Sequence, residues 1–461
     1  MKELLTLCGF EKCEIDSELP RVEKAFHKLG ITDGDIERGK QRMATYYDIE
    51  LEGVRKVFRL CLRELVAALL VRDEGEKKLI YGFMVPGIEV LGSALVSQSR
   101  DVFSIHHSWA FHIVVGCIFG KIVPIIEEAE KKWLKAGMVA HCANVKTLVG
   151  PIELGLFPKP DLLVTSGFTC ETSPKTVDLL HELNDIPVWY VDTCLDREFV
   201  EYPEPPQRIT ELTAKSFRKL TEKIQEIVGF EITDDMLLEV QKAKDKLNDA
   251  LRRVRELIEG SDPLPLSPAH ENIWMCMNSL TLSMDGIAEA VEAMNTLYDE
   301  LRKRVEKGLG VVEKGAPRVL AILPAGQTDP RLEQLACEVG IAIVAIDMSL
   351  TAPFTEIPES PYMKMGAGMQ QHTLGFPLRG RIPLIIEGCK RLNVAGVLDR
   401  FHVGCRAVAA DALIIEKAVQ KELGIPVLVL EWENFDPRVY NHEEYKKRLE
   451  VFKAMMTQKS T

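Results

Sequence analysis

Leu162-Leu163-Val164-Thr165-Ser166-Gly167-Phe168-Thr169-Cys170 and Gly396-Val397-Leu398-Asp399-Arg400-Phe401-His402-Val403-Gly404-Cys405 are two versions of one pattern. Each is a short apolar run that gives way to small or polar residues and then a cysteine. A helical stretch follows each. Next comes Ile-Pro-Val, at Ile186-Pro187-Val188 and Ile425-Pro426-Val427, and a second β-branched run that ends in an acid, Asp192 or Glu431. Cysteine and isoleucine are 16 positions apart in the first copy and 20 in the second. Strand, loop, helix and strand in this order make the unit of a parallel sheet.

Working outward, further strand-like runs stand at residues 78–84, 318–323 and 341–346, with helical patterns such as 122–136 and 175–183 between strands. Residues 19–29 and 36–70 mix charged and apolar residues at helical spacing. From about 206 to 309 the strand signals stop and long charged helical patterns replace them, broken by the Pro-rich stretch 261–268. The expected fold is α/β, with two Rossmann-like (flavodoxin-like) parallel-sheet lobes at 76–205 and 311–461. A helical N-terminal region covers 1–75 and a helical section covers 206–310.

The chain has 461 residues, 46% hydrophobic and 27% charged, which excludes a disordered, collagenous or rod-like protein. With 57 basic against 69 acidic residues the net charge is −12, so no nucleic-acid partner is expected. The longest apolar run, 111–126, is interrupted by Lys121 and is shorter than the ~18–20 residues of a membrane span. The beginning MKELLTLCGF lacks the apolar region of a signal peptide, and a cytoplasmic location is expected. In that reducing setting the eleven cysteines read as buried apolar groups, nucleophiles or metal ligands.

Cys170 and Cys405 should each sit just past the carboxyl end of a parallel strand, where open α/β sheets place ligands. Each also precedes a helix, whose N-terminus favours the thiolate. Cys142, after Gly137-Met138-Val139-Ala140-His141, stands in similar company. No C-x-x-C pair occurs, which removes the main support for zinc-ribbon or thioredoxin chemistry. Three cysteines far apart in sequence suit an iron–sulfur cluster with one iron left open. Cys117, in the apolar run, and Cys389, near a helix end, are core residues or further ligands. Cys194 follows a strand end, and Cys8, Cys13, Cys61, Cys276 and Cys337 read as structural. His141 and His402 flank the proposed ligands as hydrogen-bond partners, proton donors or plain loop histidines. Glu89, after the first strand, orients a substrate or caps the next helix. Gly366, Gly368 and Gly375 suggest a flexible loop before Arg379 and Arg381, open to a phosphate-bearing ligand or simply mobile. No nucleotide-binding P-loop or dinucleotide fingerprint is present.

From about residue 79 to 449 the chain resembles the subunits of 2-hydroxyacyl-CoA dehydratases and ATP-dependent benzoyl-CoA reductases, a family that includes double-cubane cluster proteins. The resemblance is strongest in His402-Val403-Gly404-Cys405-Arg406, Gly424-Ile425-Pro426-Val427-Leu428 and Glu433-Asn434-Phe435-Asp436-Pro437-Arg438. Pro86 with Glu89, Ala140-His141-Cys142, residues 166–170 and Pro317-Arg318-Val319-Leu320 support it. It implies an iron–sulfur protein whose [4Fe-4S] cubane is held by Cys142, Cys170 and Cys405. It also implies electrons from a separate ATP-hydrolysing iron–sulfur activator, an acyl-CoA thioester to dehydrate or reduce, and a dimer of two copies or of homologous subunits. A double-cubane [8Fe-9S] protein reducing small molecules, and a non-catalytic cluster carrier, are the alternatives.

Overall fold

The computed structural model describes all residues except 107–108, 136–141, 169, 195–205, 271–276, 323–327, 351–359, 372–377, 403 and 459–461. The apolar runs form two four-stranded sheets, parallel throughout. One contains β1 (Lys78–Phe83), β2 (Val102–His106), β3 (Leu162–Thr165) and β4 (Val188–Tyr190), in the order β2-β1-β3-β4. The other contains β5 (Arg318–Ile322), β6 (Ala342–Ile346), β7 (Gly396–His402) and β8 (Val427–Trp432), in the order β6-β5-β7-β8. The repeated sequence pattern is thus a repeated pairing: Leu163 lies beside Val188 in one sheet and Val397 beside Val427 in the other. The two-lobe α/β expectation holds. β2 is not among the strands read from the sequence. All five of its residues are buried, the polar Ser104 and His106 included, so the run is neither a continuous apolar stretch nor one with a solvent-facing polar side.

Four helices open the chain: Lys2–Leu7, Lys12–Lys28, Asp33–Tyr46 and Glu52–Leu70. The third begins at a capping box in which Thr32 Oγ1 accepts from the Asp35 amide and Asp35 accepts from the Thr32 amide. The helical run expected over 36–70 is two helices. Tyr47 takes extended dihedrals (φ −128°, ψ 143°), and Asp48 accepts from the Ser267 amide (3.0 Å) and Arg304 Nη1 (2.7 Å). Those contacts tie the N-terminal helices to the helical section, which contains Gln207–Val228, Asp234–Glu259 and Met284–Glu306.

One apolar core runs from the N-terminal helices through the first sheet to one face of the second. The other face of the second sheet, with Val319, Leu398 and Trp432, packs under the helices Arg331–Val339 and His442–Thr457 as a smaller core. Period-two alternation along the strands divides the residues between the two. The loop expected at Gly366–Gly368 is instead part of the helix Pro361–Gln370. A Cβ on Gly366 would fall 2.8 Å from the Thr210 carbonyl oxygen, so glycine there lets two helices approach closely. Gly375 lies outside the described residues. Among the described residues no helix is long and apolar enough to cross a membrane.

Candidate functional site

In both sheets the chain runs from the first strand to one neighbour, then crosses back to the other side. The switch point therefore lies between β1 and β3, and between β5 and β7. Ligands of open α/β sheets bind at the carboxyl ends of strands at this point. The loop after β3 carries Cys170, and the loop after β7 carries Cys405. The loop after β1 leads to Glu89; the one after β5, residues 323–327, lies outside the described residues.

All three cysteines stand at helix starts. Cys142 is the N-cap of Ala143–Glu153, Cys405 is the N-cap of Arg406–Ala409, and Cys170 comes two residues before Thr172–Asn184. Cys142 is buried, and Cys170 and Cys405 are half-buried. Burial pushes the Cys142 thiol well up, and the nearby Glu433, Cys170 and Cys405 push it further. Burial also raises the Cys170 thiol, opposed by the amides of Ser173 and Thr172 and the Thr172 hydroxyl at the helix start. The lobes touch here. A Cβ on Gly404 would stand 2.7 Å from the Cys142 Cα, so only glycine lets the Cys405 loop press against the Cys142 backbone.

His402 ends β7 with its Nδ1 3.3 Å from Glu433 Oε2. Burial pushes the imidazole down to about 4 and the Glu433 carboxyl up to about 7, although the amides of Phe435 and Ala143 point at that carboxyl. Both groups are thus shifted towards their neutral forms. Asn434 is 1% exposed, and neither end of its side-chain amide has a hydrogen-bond partner among the described residues. The Phe435 ring lies 5.1 Å from the His112 ring and 6.3 Å from the His402 ring. His112, on the π-helical turn His112–Ile118, meets Thr147 Oγ1 at 2.6 Å and so braces the helix that Cys142 begins.

The other expected residues separate. Glu89 lies in the first turn of the helix Ile88–Gln98 and accepts from the Gly87 amide at 2.8 Å, the capping role. Cys117 is buried beside Tyr47 and Cys61, and Cys389 is buried on the helix Leu378–Arg391; burial pushes each thiol up to about 12. Neither is among the groups acting on Cys142. Arg381 is taken up inside the protein by Asp347, at 2.8 and 3.2 Å, which removes it as a phosphate contact. His141 lies outside the described residues.

The model of the family "2-hydroxyglutaryl-CoA dehydratase, D-component" matches residues 105–456. The chain belongs to this family. The dehydratase D-component match spans Cys142, Cys170, His402, Cys405 and Glu433, and begins after Glu89. A benzoyl-CoA reductase subunit of Thauera aromatica is 22% identical over 342 residues, covering 69% of this chain and 77% of its own. Two solved structures are each 11% identical over 82% of this chain: the SBP FpvC of P. aeruginosa with Ni2+, and AdcAII of Streptococcus pneumoniae. They cover 95% and 98% of those chains at TM-scores of 0.18 and 0.19, too low to bear on the fold. Within the dehydratase D-component match, sequence reasoning quoted Glu433 and Asn434 without assigning them to the site. The available signal was their position directly after a strand that ends at the second switch-point lobe.

Proposed function

We propose that this chain is the iron–sulfur subunit of an enzyme of the acyl-CoA dehydratase and reductase type, with Cys142, Cys170 and Cys405 holding one [4Fe-4S] cubane between the lobes. The observation that carries the reading is the approach of three thiols from three separate helix starts, two of them at switch points. The dehydratase-component family and the CoA-thioester reductase relative supply the reaction class.

The residues fit the group. Helix-start amides and the Thr172 hydroxyl favour the thiolate form that binds metal, and binding itself drives deprotonation of a buried thiol. Among the described residues no three His, Cys, Asp or Glu side chains are close enough to hold a single metal ion. A cubane presents its irons at separate corners, so its cysteines stand farther apart than the ligands of one ion. The unpartnered Asn434 amide offers a hydrogen bond of the kind that tunes such a group. When bound, the cluster supplies single low-potential electrons. The chain's own residues do the rest. Phe435 is buried beside the His112 and His402 rings and keeps water from that side of the site, while burial favours the neutral forms of both His402 and Glu433 there. Without a nucleotide motif of its own, the chain relies on an ATP-hydrolysing iron–sulfur activator for those electrons. A second copy or a homologous subunit completes the assembly.

Anaerobic reconstitution followed by iron and sulfide analysis and low-temperature EPR tests the reading. One cubane's worth of iron per chain is expected; twice that selects the double-cubane alternative. Cys142→Ala, Cys170→Ala and Cys405→Ala should each lose most of the iron while keeping wild-type circular dichroism. Full iron content in all three variants overturns the assignment.

A further inference from the structure

Where the lobes meet, the second lobe buries a side-chain amide that the fold itself does not use. Asn434 stands two residues past β8. Its neighbours on either side reach the first lobe: Glu433 accepts from the Ala143 amide, and the Phe435 ring lies 5.1 Å from the His112 ring. The backbone here is held in place. The Asn434 carbonyl accepts from the Thr328 amide (3.0 Å) and the Thr328 hydroxyl (3.4 Å), and the Phe435 amide turns back onto Glu433 Oε1 at 3.4 Å. Asn434 therefore lies in the crevice between the segments that follow β5 and β8, beside the start of the Cys142 helix.

The side chain is 1% exposed, and neither its Nδ2 nor its Oδ1 has a hydrogen-bond partner among the described residues. Gln241 and Asn278 each bury one unpartnered oxygen, so Asn434 is the one amide among the described residues with both ends open. A buried polar end left unmade carries its full desolvation cost, so this amide marks a place for a ligand. The two ends ask for different chemistry. Nδ2 has two protons to give, and Oδ1 has lone pairs to receive. Sulfide and thiolate are acceptors, so a cluster can take one Nδ2 proton and offers nothing to Oδ1. A thioester carbonyl is also an acceptor and suits the other Nδ2 proton. Oδ1 still needs a donor, and the donor must stand next to that carbonyl because both ends belong to one amide. A hydroxyl on the carbon beside the carbonyl has that position. An aromatic acyl group has no such proton.

We infer that Asn434 is the specificity-determining residue of this site, its amide pairing with the adjoining carbonyl and hydroxyl of a 2-hydroxyacyl thioester in preference to an aromatic one. The inference rests on the thioester site proposed above and selects within it. Binding alone is involved, and no bond is made or broken. With a substrate that lacks the hydroxyl, Oδ1 stays buried and unpaired, which is how a polar site rejects an analogue missing one group.

Calorimetric binding to the full chain, without activator or reductant, reads this in the absence of turnover. The probes are 2-hydroxybutanoyl-CoA, butanoyl-CoA and benzoyl-CoA, each measured with and without reconstituted iron. The hydroxy thioester should bind about tenfold or more tighter than either of the others. Asn434→Leu should erase that ratio, and its urea midpoint should not fall, because no bonded partner is lost. Asn434→Asp keeps the acceptor and should keep the preference. Asn434→Ala takes the place of the leucine variant if that one folds poorly. Equal wild-type affinity for the hydroxy and deoxy thioesters overturns the inference, since water or the pantetheine arm then satisfies the amide. A preference that survives in both Asn434→Leu and Asn434→Ala overturns it too. Failure of the cluster reading looks different: iron is absent, and the ratio on the iron-free chain still decides the role of Asn434.

Discussion

The two lobes share strand order and direction but not the material beneath their strand ends. In the second lobe, Arg400 on β7 pairs with Glu333 on the helix Arg331–Val339, and Arg381 pairs with Asp347 at the end of β6. All four side chains are at most 2% exposed. In the first lobe, β1 and β3 bury Leu79, Ile80, Leu163 and Val164, and the ion pair Lys78–Asp161 stands at the rim with 51% and 27% of its side chains exposed. Its cysteine loop is held instead by hydroxyls: Thr165 Oγ1 meets Ser173 Oγ at 2.6 Å, and Ser173 reaches the Phe83 carbonyl at 3.3 Å. One topology therefore presents Cys170 and Cys405 at equivalent places by different means. Buried ionic brackets set the second loop, and short neutral hydrogen bonds set the first.

The contrast breaks most decisively on stability. Arg400→Met takes away the buried cation that faces Glu333, and urea unfolding should show a loss of about 3–5 kcal/mol. Adding Glu333→Gln should recover much of it, because the buried carboxyl that faced the lost guanidinium is then replaced by a neutral amide. Asp161→Asn at the rim of the first lobe should cost about 1 kcal/mol or less, since solvent screens that pair. Equal losses for Arg400→Met and Asp161→Asn would mean that the buried brackets do not hold the second lobe.

A smaller effect sharpens the comparison where the lobes meet. Gly404→Ala places a methyl 2.7 Å from the Cys142 Cα and 2.9 Å from its Cβ, so backbone must move. Overpacking of this kind costs roughly 1–3 kcal/mol. The displacement also draws the Cys405 loop away from Cys142, so iron content after reconstitution should fall below wild type. Unchanged iron with unchanged stability would show that the loops have slack.

Much of this arrangement was legible in the sequence, for physical reasons. A βαβ unit repeats its own signals, and the carboxyl ends of parallel strands are fixed ligand positions, so Cys170 and Cys405 could be placed from the chain alone. Cys142 was recognisable from the helix that begins after it. What escaped depends on long-range contact. Glu433 joins the site because its carboxyl meets the Ala143 amide from the other lobe, and no local pattern encodes that meeting. Gly366 and Gly368 read as a loop because glycine disfavours helix, and packing against the helix Gln207–Val228 overrode that preference.

The smallest expected effect tests the outer clasp between lobes. Arg438, after β8, donates to Glu130 at 2.7 and 3.2 Å, and Glu130 sits on the helix Val123–Lys135 of the first lobe. Lys146, on the helix that Cys142 begins, reaches the same carboxylate at 2.7 Å. Arg438 and Lys146 together hold Glu130 down to about 2. A carboxyl lowered by folding stabilises the native state above its ordinary value, and that contribution is lost as pH falls through the folded value. Arg438 is 37% exposed, so screening keeps the clasp to about 1 kcal/mol or less. Arg438→Ala should therefore lower stability slightly at neutral pH, and the gap to wild type should close as the pH approaches about 2. A gap that stays constant across the acid range would assign the loss to packing of the Arg438 side chain rather than to its pairs with the Glu130 and Asp436 carboxylates.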